Sequence, residues 1–410
     1  MNIVPYIPSH SLADMQNFVE SNETFYLFGA GEEGESYARW LRNRGKKVIA
    51  FIDNQAAIQG IIYEGLEIIS LEKVVNKDSR IIITSIHSDL ISLQLEDHGF
   101  KFLEHYIVYD NLMWIDYAHF SHNVGAPFYN TIKDIKDEFI KVYNLLSDDY
   151  SKEVYSKVIN YRLTVFAPSV RKKDYLPIPL DSYYSLKKSR NTKKEQLHNE
   201  LKEKYPMDKI KTIARNVANN LYSYNNYLKM DNYSVILDIG GYDGETAVGF
   251  SYNSRDAKVY SFEPSQVGIE KINQWTKLFP NIRVIGKGVW HENSILSFNE
   301  GEEQSQSSRV GEGEKKIEVI SIDWFVQQEK IQKVDFIKMD IEGAELNGLR
   351  GAMQVIERDM PDLVISIYHS PSDLWEIPMW IKTNFPAYNI FIDHPEGMNV
   401  WGTLCIATLK

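Results

Sequence analysis

The stretch "FIKMDIEGAEL", Phe336 to Leu346, places three carboxylates, Asp340, Glu342 and Glu345, within six residues. An apolar run stops at Asp340, where a buried strand is expected to end, and the two glutamates open the next helix. Three chemistries fit such a group: holding a metal, taking a proton, or complementing a helix N-terminus. Glu345 fits the last, because a carboxylate in a first helical turn is favoured by about 0.3–1 kcal/mol. Glu342, beside the strand end, is placed to face a cleft and support catalysis. Asp340 sits where ligands bind in open α/β sheets, at the C-terminal edge of a strand. His369 ends the next apolar run, "DLVISIYH", and imidazole titrates near neutrality. Asp340 and His369 are therefore the two candidates for a catalytic base, with His394 behind them. A catalytic metal needs further oxygen or nitrogen ligands, and "ISIYHSPSD" offers no Asp-Asn pair after the strand. The site is read without a metal.

Two strand–glycine loop–helix units accompany these acids, and such loops leave backbone N–H groups free at a helix N-terminus. The first is Gly29-Ala30-Gly31-Glu32-Glu33-Gly34, with Asp53 ending the following strand 19 residues after Gly34. Gly29, Gly31, Gly34 and Asp53 form a possible second nucleotide site. Against it, Glu32, Glu33 and Glu35 would meet a pyrophosphate with like charge. The second loop is Asp238-Ile239-Gly240-Gly241-Tyr242-Asp243-Gly244, with Glu263 ending the next strand, again 19 residues on. An aspartate at that strand end suits a cationic group better than a diphosphate. S-adenosyl-L-methionine carries a sulfonium and an ammonium and no phosphate. Gly240, Gly241 and Gly244 let the backbone approach its methionine portion beside Asp238 and Asp243. Glu263 is expected to take the ribose hydroxyls, and Trp290, after the third strand, to flank adenine.

Alternation of apolar runs and helical periodicity must position these residues. "FYLF", "VIAFI", "RIIITSI" and "KFLEHYIVY" read as strands separated by helices, so residues 1–111 are expected to form a small Rossmann-like domain. Residues 112–230 show helical spacing in "TIKDIKDEFIKVYNLL", "QLHNELKEKY" and "KIKTIARNVANNLYSY". Between Arg171 and Arg215 there are thirteen Lys or Arg against six Asp or Glu, with Tyr175, Tyr183, Tyr184 and Tyr205 among them. The segment is read as a helical linker with solvated charges, or as a lid that greets an anionic acceptor. "NEGEEQSQSSRVGEGEK" reads as a mobile hairpin loop. Residues 231–410 repeat the α/β alternation through "SVILDIG", "KVYSFEP", "IRVIGKGVW", "VDFIKMD", "DLVISIYH", "YNIFIDH" and "GTLCIATL". A parallel sheet closed by a final hairpin is expected there.

The chain has 410 residues, enough for two or three domains. A hydrophobic share of 43% and a charged share of 25% are ordinary for a soluble globular protein. A net charge of −11 argues against a general nucleic-acid binder. Cys405 is the single cysteine, so no disulfide forms within the chain. With neither a signal peptide nor an apolar span in sight, a cytoplasmic protein without membrane insertion is expected. A homo-oligomer is left open.

"VILDIGGYDGET", "VYSFEPS" and "IKMDIEGAELNGLRGA", followed by a closing hairpin, resemble the FkbM family of S-adenosylmethionine-dependent methyltransferases over residues 235–410. The resemblance implies a seven-stranded Rossmann-like methyltransferase sheet and methyl transfer to a hydroxyl of a sugar, glycan or natural product, with a place in polysaccharide biosynthesis. The chain departs from common members at Tyr242-Asp243 and in its long middle segment. Separately, "LFGAGEEGESYARWLRNRGKKVIAFIDN" resembles N-terminal Rossmann-like domains of bacterial nucleotide-sugar and sugar-acyltransferase proteins. Two other functions remain in view. One is a nucleotide-sugar oxidoreductase using the first loop, for which Tyr184 and Lys188 have Tyr-x-x-x-Lys spacing. The other is a non-enzymatic scaffold that retains the fold.

Overall fold

The computed structural model describes residues 12–74, 80–85, 87–108, 125–164, 176–220, 222, 227–299, 309–310, 315–395 and 401–410. The chain divides into two compact units, Asn2–Asp134 with Lys157–Leu176, and Ile135–Ser156 with Pro177–Lys410. No helix among the described residues is long and apolar enough to cross a membrane.

The first unit runs α1 (Leu12–Glu20), β1 (Thr24–Phe28), α2 (Glu32–Asn43), β2 (Lys47–Ile52), β3 (Ile62–Tyr63), β4 (Leu66–Ile69), β5 (Arg80–Ile83), α3 (Ser88–Asp97), β6 (Tyr106–Val108) and α4 (Gly125–Ile132). Its six strands lie in the order β3-β4-β2-β1-β5-β6, with β1 parallel to both β2 and β5. Helix α2 buries Tyr37, Ala38, Trp40 and Leu41, the face its sequence spacing specifies. The β3–β4 hairpin was not expected from the sequence. Glu64 and Gly65 both have positive φ, as a two-residue hairpin turn demands.

The second unit begins with α5 (Lys136–Leu145) and the start of α6 (Asp149–Thr164), followed by α7 (Leu180–Leu201) and α8 (Met207–Asn219). Helix α6 carried no recognised sequence signal. Most of α7 is solvated, but Leu197 and Leu201 in its last turn are buried. Ile210, Ile213, Ala214 and Val217 repeat at helical spacing along α8 and join the same core as Val248 and Phe250. Of the tyrosines in the basic segment, Tyr175 lies outside the described residues. Tyr205 stacks on Phe279, and Tyr184 is exposed.

Seven strands then form the main sheet: β7 (Val235–Ile239), β8 (Lys258–Phe262), β9 (Ile282–Ile285), β14 (Phe336–Met339), β15 (Asp362–Ser366), β16 (Asn389–Asp393) and β17 (Leu404–Thr408). Their order is β16-β17-β15-β14-β7-β8-β9. Strand β17 runs antiparallel to both neighbours, so the sheet closes with the expected hairpin. Helices α9 (Glu245–Asn253), α10 (Gln266–Thr276), α12 (Glu345–Arg350), α13 (Met353–Asp359) and α14 (Asp373–Asn384) supply its crossovers. The stretch "IRVIGKGVW" does not form one strand. It leaves the main sheet after Ile285, passes Gly286-Lys287, and enters a second sheet as β10 (Gly288–Val289). That sheet, ordered β10-β13-β11-β12, also holds β11 (Ser294–Asn299), β12 (Arg309–Val310) and β13 (Lys315–Ile320), with α11 (Ile322–Gln328) after it. The hairpin loop expected over 299–315 falls mostly on residues 300–308 and 311–314, outside the described residues.

Strand order reverses between β7 and β14, because the chain first builds outward through β8 and β9 and then returns to the other side. Parallel pairing sets Asp238 beside Lys338 there. Both side chains are buried, and Lys338 Nζ lies 3.3 Å from Asp238 Oδ1. Replacing Lys338 with Met would leave a buried carboxylate without its cation, a loss of about 3–5 kcal/mol. Urea denaturation of Lys338→Met should show that loss, and an unchanged midpoint would contradict the pairing.

Candidate active site

The second glycine loop crosses directly over the strand end that carries Asp340. Gly240 has φ +84°, and a Cβ there would lie 1.9 Å from the Asp340 carbonyl oxygen. A Cβ on Gly241 would lie 2.2 Å from Ser261 Oγ. The loop can cross the end of β14 and lie against β8 only because neither position has a side chain. Gly244, at φ +85°, caps the start of α9. Asp243 takes the Glu245 N–H at 3.0 Å, and its carbonyl accepts from Trp275 Nε1 at 3.1 Å.

Asp238 is turned inward. Its carboxylate accepts Thr246 Oγ1 at 2.9 and 3.0 Å and Ser261 Oγ at 2.9 Å, beside the Lys338 ammonium. Lys338 in turn donates to the Gly240 carbonyl. Asp238 thus ties the loop to α9 and β8.

Glu263 faces a cleft. Its Oε2 accepts the Tyr242 N–H at 2.9 Å and its Oε1 the Ser265 N–H at 2.8 Å. Each oxygen keeps a second lone pair for a ligand hydroxyl. Burial pushes the carboxyl above its ordinary range, against these two backbone donors. The cleft encloses about 490 Å³, part of it open to solvent. Glu263 and Gly240 stand on its polar side, while Val289, Phe298, Ile317 and Ile341 give it an apolar wall. Trp290 is one residue past that wall and packs on the small cluster of Phe298, Ile317 and Val319.

Asp340 follows β14, and its side chain is 22% exposed. Tyr222 donates its hydroxyl to Oδ2 at 2.7 Å, and Tyr368 donates to Oδ1 at 3.0 Å. His369 Nε2 stands 3.3 Å from Oδ1. Burial alone would push this carboxyl up. The His369 and Lys338 charges and the two phenols outweigh it and hold the group below the ordinary aspartate value. Glu342 has φ +58° and a side chain 24% exposed, with Oε2 3.6 Å from His369 Nε2. Glu345 is fully buried: Oε1 takes the Ile341 N–H at 2.8 Å and lies 3.0 Å from His369 Nδ1. Burial pushes the His369 imidazole down, but Glu345, Glu342 and Asp340 override it and raise its pKa to about 10.

Asp340, Glu345 and His369 offer ligand atoms within 4.8 Å of one another, close enough for a cation. The imidazole, however, turns Nδ1 to Glu345 and Nε2 to Asp340. The acids are strung along opposite edges of the ring rather than gathered at one point, which favours an ion-paired chain over a coordination sphere.

The structure therefore gathers Asp340, Glu342 and His369 into one cluster and brings Glu345 in with them. Sequence reasoning had left Glu345 as a helix-start acid. It also missed Tyr222 and Lys338. For Lys338 a signal existed: a lone cation in the apolar "VDFIKMD", at the same offset from its strand end as Asp238. His394 is buried beyond β16, where Nδ1 lies 2.9 Å from Thr403 Oγ1. In the first unit, Asp53 Oδ2 accepts the Ala30 N–H at 3.1 Å and Oδ1 the Gln55 N–H at 2.9 Å. A Cβ on Gly34 would lie 2.1 Å from the Gly29 carbonyl oxygen, so that loop is also tight. Gly31 precedes α2, whose first turn carries Glu32, Glu33 and Glu35. Tyr184 and Lys188 lie on the solvated part of α7.

Residues 238–389 match the family model of the methyltransferase FkbM domain. Among solved structures, the FkbM methyltransferase of Methylobacillus flagellatus KT superposes with a TM-score of 0.54 at 20% identity, over 96% of this chain and 93% of that one. That likeness is one of fold. Fibrillarin of Aeropyrum pernix, solved with natively bound S-adenosyl-L-methionine, aligns at 13% identity and a TM-score of 0.31, over 46% of this chain and 72% of that one. A search of curated proteins finds no match to this chain. The glycine loop, Glu263, Asp340 and His369 all lie within the stretch that matches the methyltransferase FkbM domain model.

Proposed function

We propose that the protein is an S-adenosyl-L-methionine-dependent O-methyltransferase acting on a hydroxyl of a sugar, glycan or natural-product acceptor. The observation that carries this reading is the placement of Glu263 in a part-apolar cleft at the strand-order reversal, with Asp340 at the neighbouring strand end. The cleft fits the donor. Glu263 has lone pairs for ribose hydroxyls, and Val289, Phe298 and Ile317 suit a purine. When bound, the donor's sulfonium supplies a methyl carbon already activated for displacement.

This chain's own residues supply orientation and a proton acceptor. Part of the Asp340 side chain is accessible, with Oδ2 accepting the Tyr222 hydroxyl at 2.7 Å and lying 3.2 Å from that of Tyr368. Asp340 hydrogen-bonds the acceptor hydroxyl and takes its proton as the new C–O bond forms. Tyr222 and Tyr368 fix the carboxylate plane for that contact. His369, flanked by carboxylates, holds a proton already and is not the base.

Two measurements test the reading. Calorimetry with S-adenosyl-L-methionine should show Glu263→Ala weakening binding by about 1.5–3 kcal/mol, the scale of hydrogen bonds to a charged group. Equal affinity in both proteins would remove the ribose assignment. In a labelled-methyl transfer assay over a panel of sugars and glycans, Asp340→Asn should lower turnover by about 10²–10⁴-fold with donor affinity little changed. Full turnover in that variant would exclude Asp340 as the base.

A further inference from the structure

Glu345 has no place in the donor cleft or at the acceptor edge, yet it is a fully buried carboxylate. Such a group is costly to retain unless it does something specific. Its Oε1 takes the Ile341 N–H and lies at ion-pair distance, 3.0 Å, from His369 Nδ1, and no hydrogen bond reaches its Oε2 from the described residues. The other ring nitrogen of His369 points at Asp340, 3.3 Å away, with Glu342 at 3.6 Å. A neutral imidazole has one N–H and one acceptor nitrogen. Either neutral tautomer would set a nitrogen lone pair against a carboxylate. Only the doubly protonated ring satisfies both ends.

We propose that Glu345 is a positioning residue for methyl transfer: it holds His369 doubly protonated, so that the imidazolium, with Nε2 3.3 Å from Asp340, keeps that carboxylate charged and in place at the acceptor. The chain Glu345–His369–Asp340 then runs from the buried first turn of α12 to the accessible edge of the cleft. Among the described residues, the ionisable groups at the ring are Asp340 after β14, Glu342 in the turn, Glu345 on α12 and the Tyr368 phenol, whose ring centroid is 4.1 Å away. Tyr222 and Lys338 act on Asp340 from the far side. Three carboxylates against one imidazolium leave the cluster anionic, so removing any one of them weakens the hold on the ring proton. The chain explains why the helix-start acid is aimed inward, a task that complementing the helix terminus would not require.

The proposal rests on Asp340 being the proton acceptor, but its test does not. In full-length protein with ¹⁵N-labelled histidine, the His369 ring is followed by NMR from pH 5.5 to 9.5. The wild-type ring should stay doubly protonated through neutrality. The sign follows from the raised pKa: the Glu345–His369 attraction is present at low pH and is lost as pH rises through about 10. Glu345→Gln keeps the shape and removes the charge, and should lower the ring's titration midpoint by about 1–3 pH units. A wild-type ring that is neutral at pH 7 overturns the proposal, and so does a Glu345→Gln ring that titrates as the wild type does. The wild-type spectrum decides the first point even if the variant folds poorly, which circular dichroism would reveal. Donor calorimetry on the same samples separates the outcomes: loss of donor binding in the wild type would count against the methyltransferase reading, not against the role of Glu345.

Discussion

The buried pairing of Asp238 with Lys338 is the constraint on which the rest of the site depends. Two neighbouring parallel strands, β7 and β14, end side by side where strand order reverses, and each brings one charge into the core. Taking both out of water is expensive, and the pair is tolerable because its remaining valences are satisfied. Asp238 also receives the Ser261 and Thr246 hydroxyls, and Lys338 donates to the Gly240 carbonyl. These bonds tie β7, β8, β14, α9 and the glycine loop together. They fix the height at which Gly240 crosses Asp340, and so the relation between the cleft at Glu263 and the strand end at Asp340.

Charge is graded across this edge. Lys338 is consumed within the core; Glu263 lines the cleft beyond it, where Lys287 also stands, and Asp340 and Glu342 lie at the neighbouring strand end. A buried carboxylate such as that of Glu263 suits the hydroxyls of a ribose. The first unit has the same loop-to-acid arrangement, with Asp53 taking a backbone N–H from its own glycine loop, as Glu263 does. What differs is the helix start: three glutamates open α2, whereas α9 begins with a single Glu245.

Much of this was legible in the sequence because it is local. The glycine loops, the acids 19 residues beyond them and the apolar strands follow from short-range rules, and the closing hairpin follows from two strands with little chain between them. Other features were hidden for identifiable reasons. The strand read through "IRVIGKGVW" breaks after Ile285, where the chain changes sheets, and periodicity cannot see which sheet a strand joins. Tyr222 reaches Asp340 from 118 residues away, beyond any local pattern. Glu345 obeys its local rule, accepting the Ile341 N–H near the helix start, and that rule concealed its second partner. The pairing with His369 depends on β14 and β15 being neighbours, which only the assembled sheet specifies.

The central claim is that one cleft, between the glycine loop of β7 and the end of β14, holds the methyl donor against Asp340. A crystal structure of the full chain with S-adenosylhomocysteine tests it most directly. The account predicts the ribose hydroxyls on Glu263, the purine against Val289, Phe298 and Ile317, and the sulfur turned toward Asp340. Density for the ligand at Asp53 instead, or a sulfur facing away from Asp340, would contradict it.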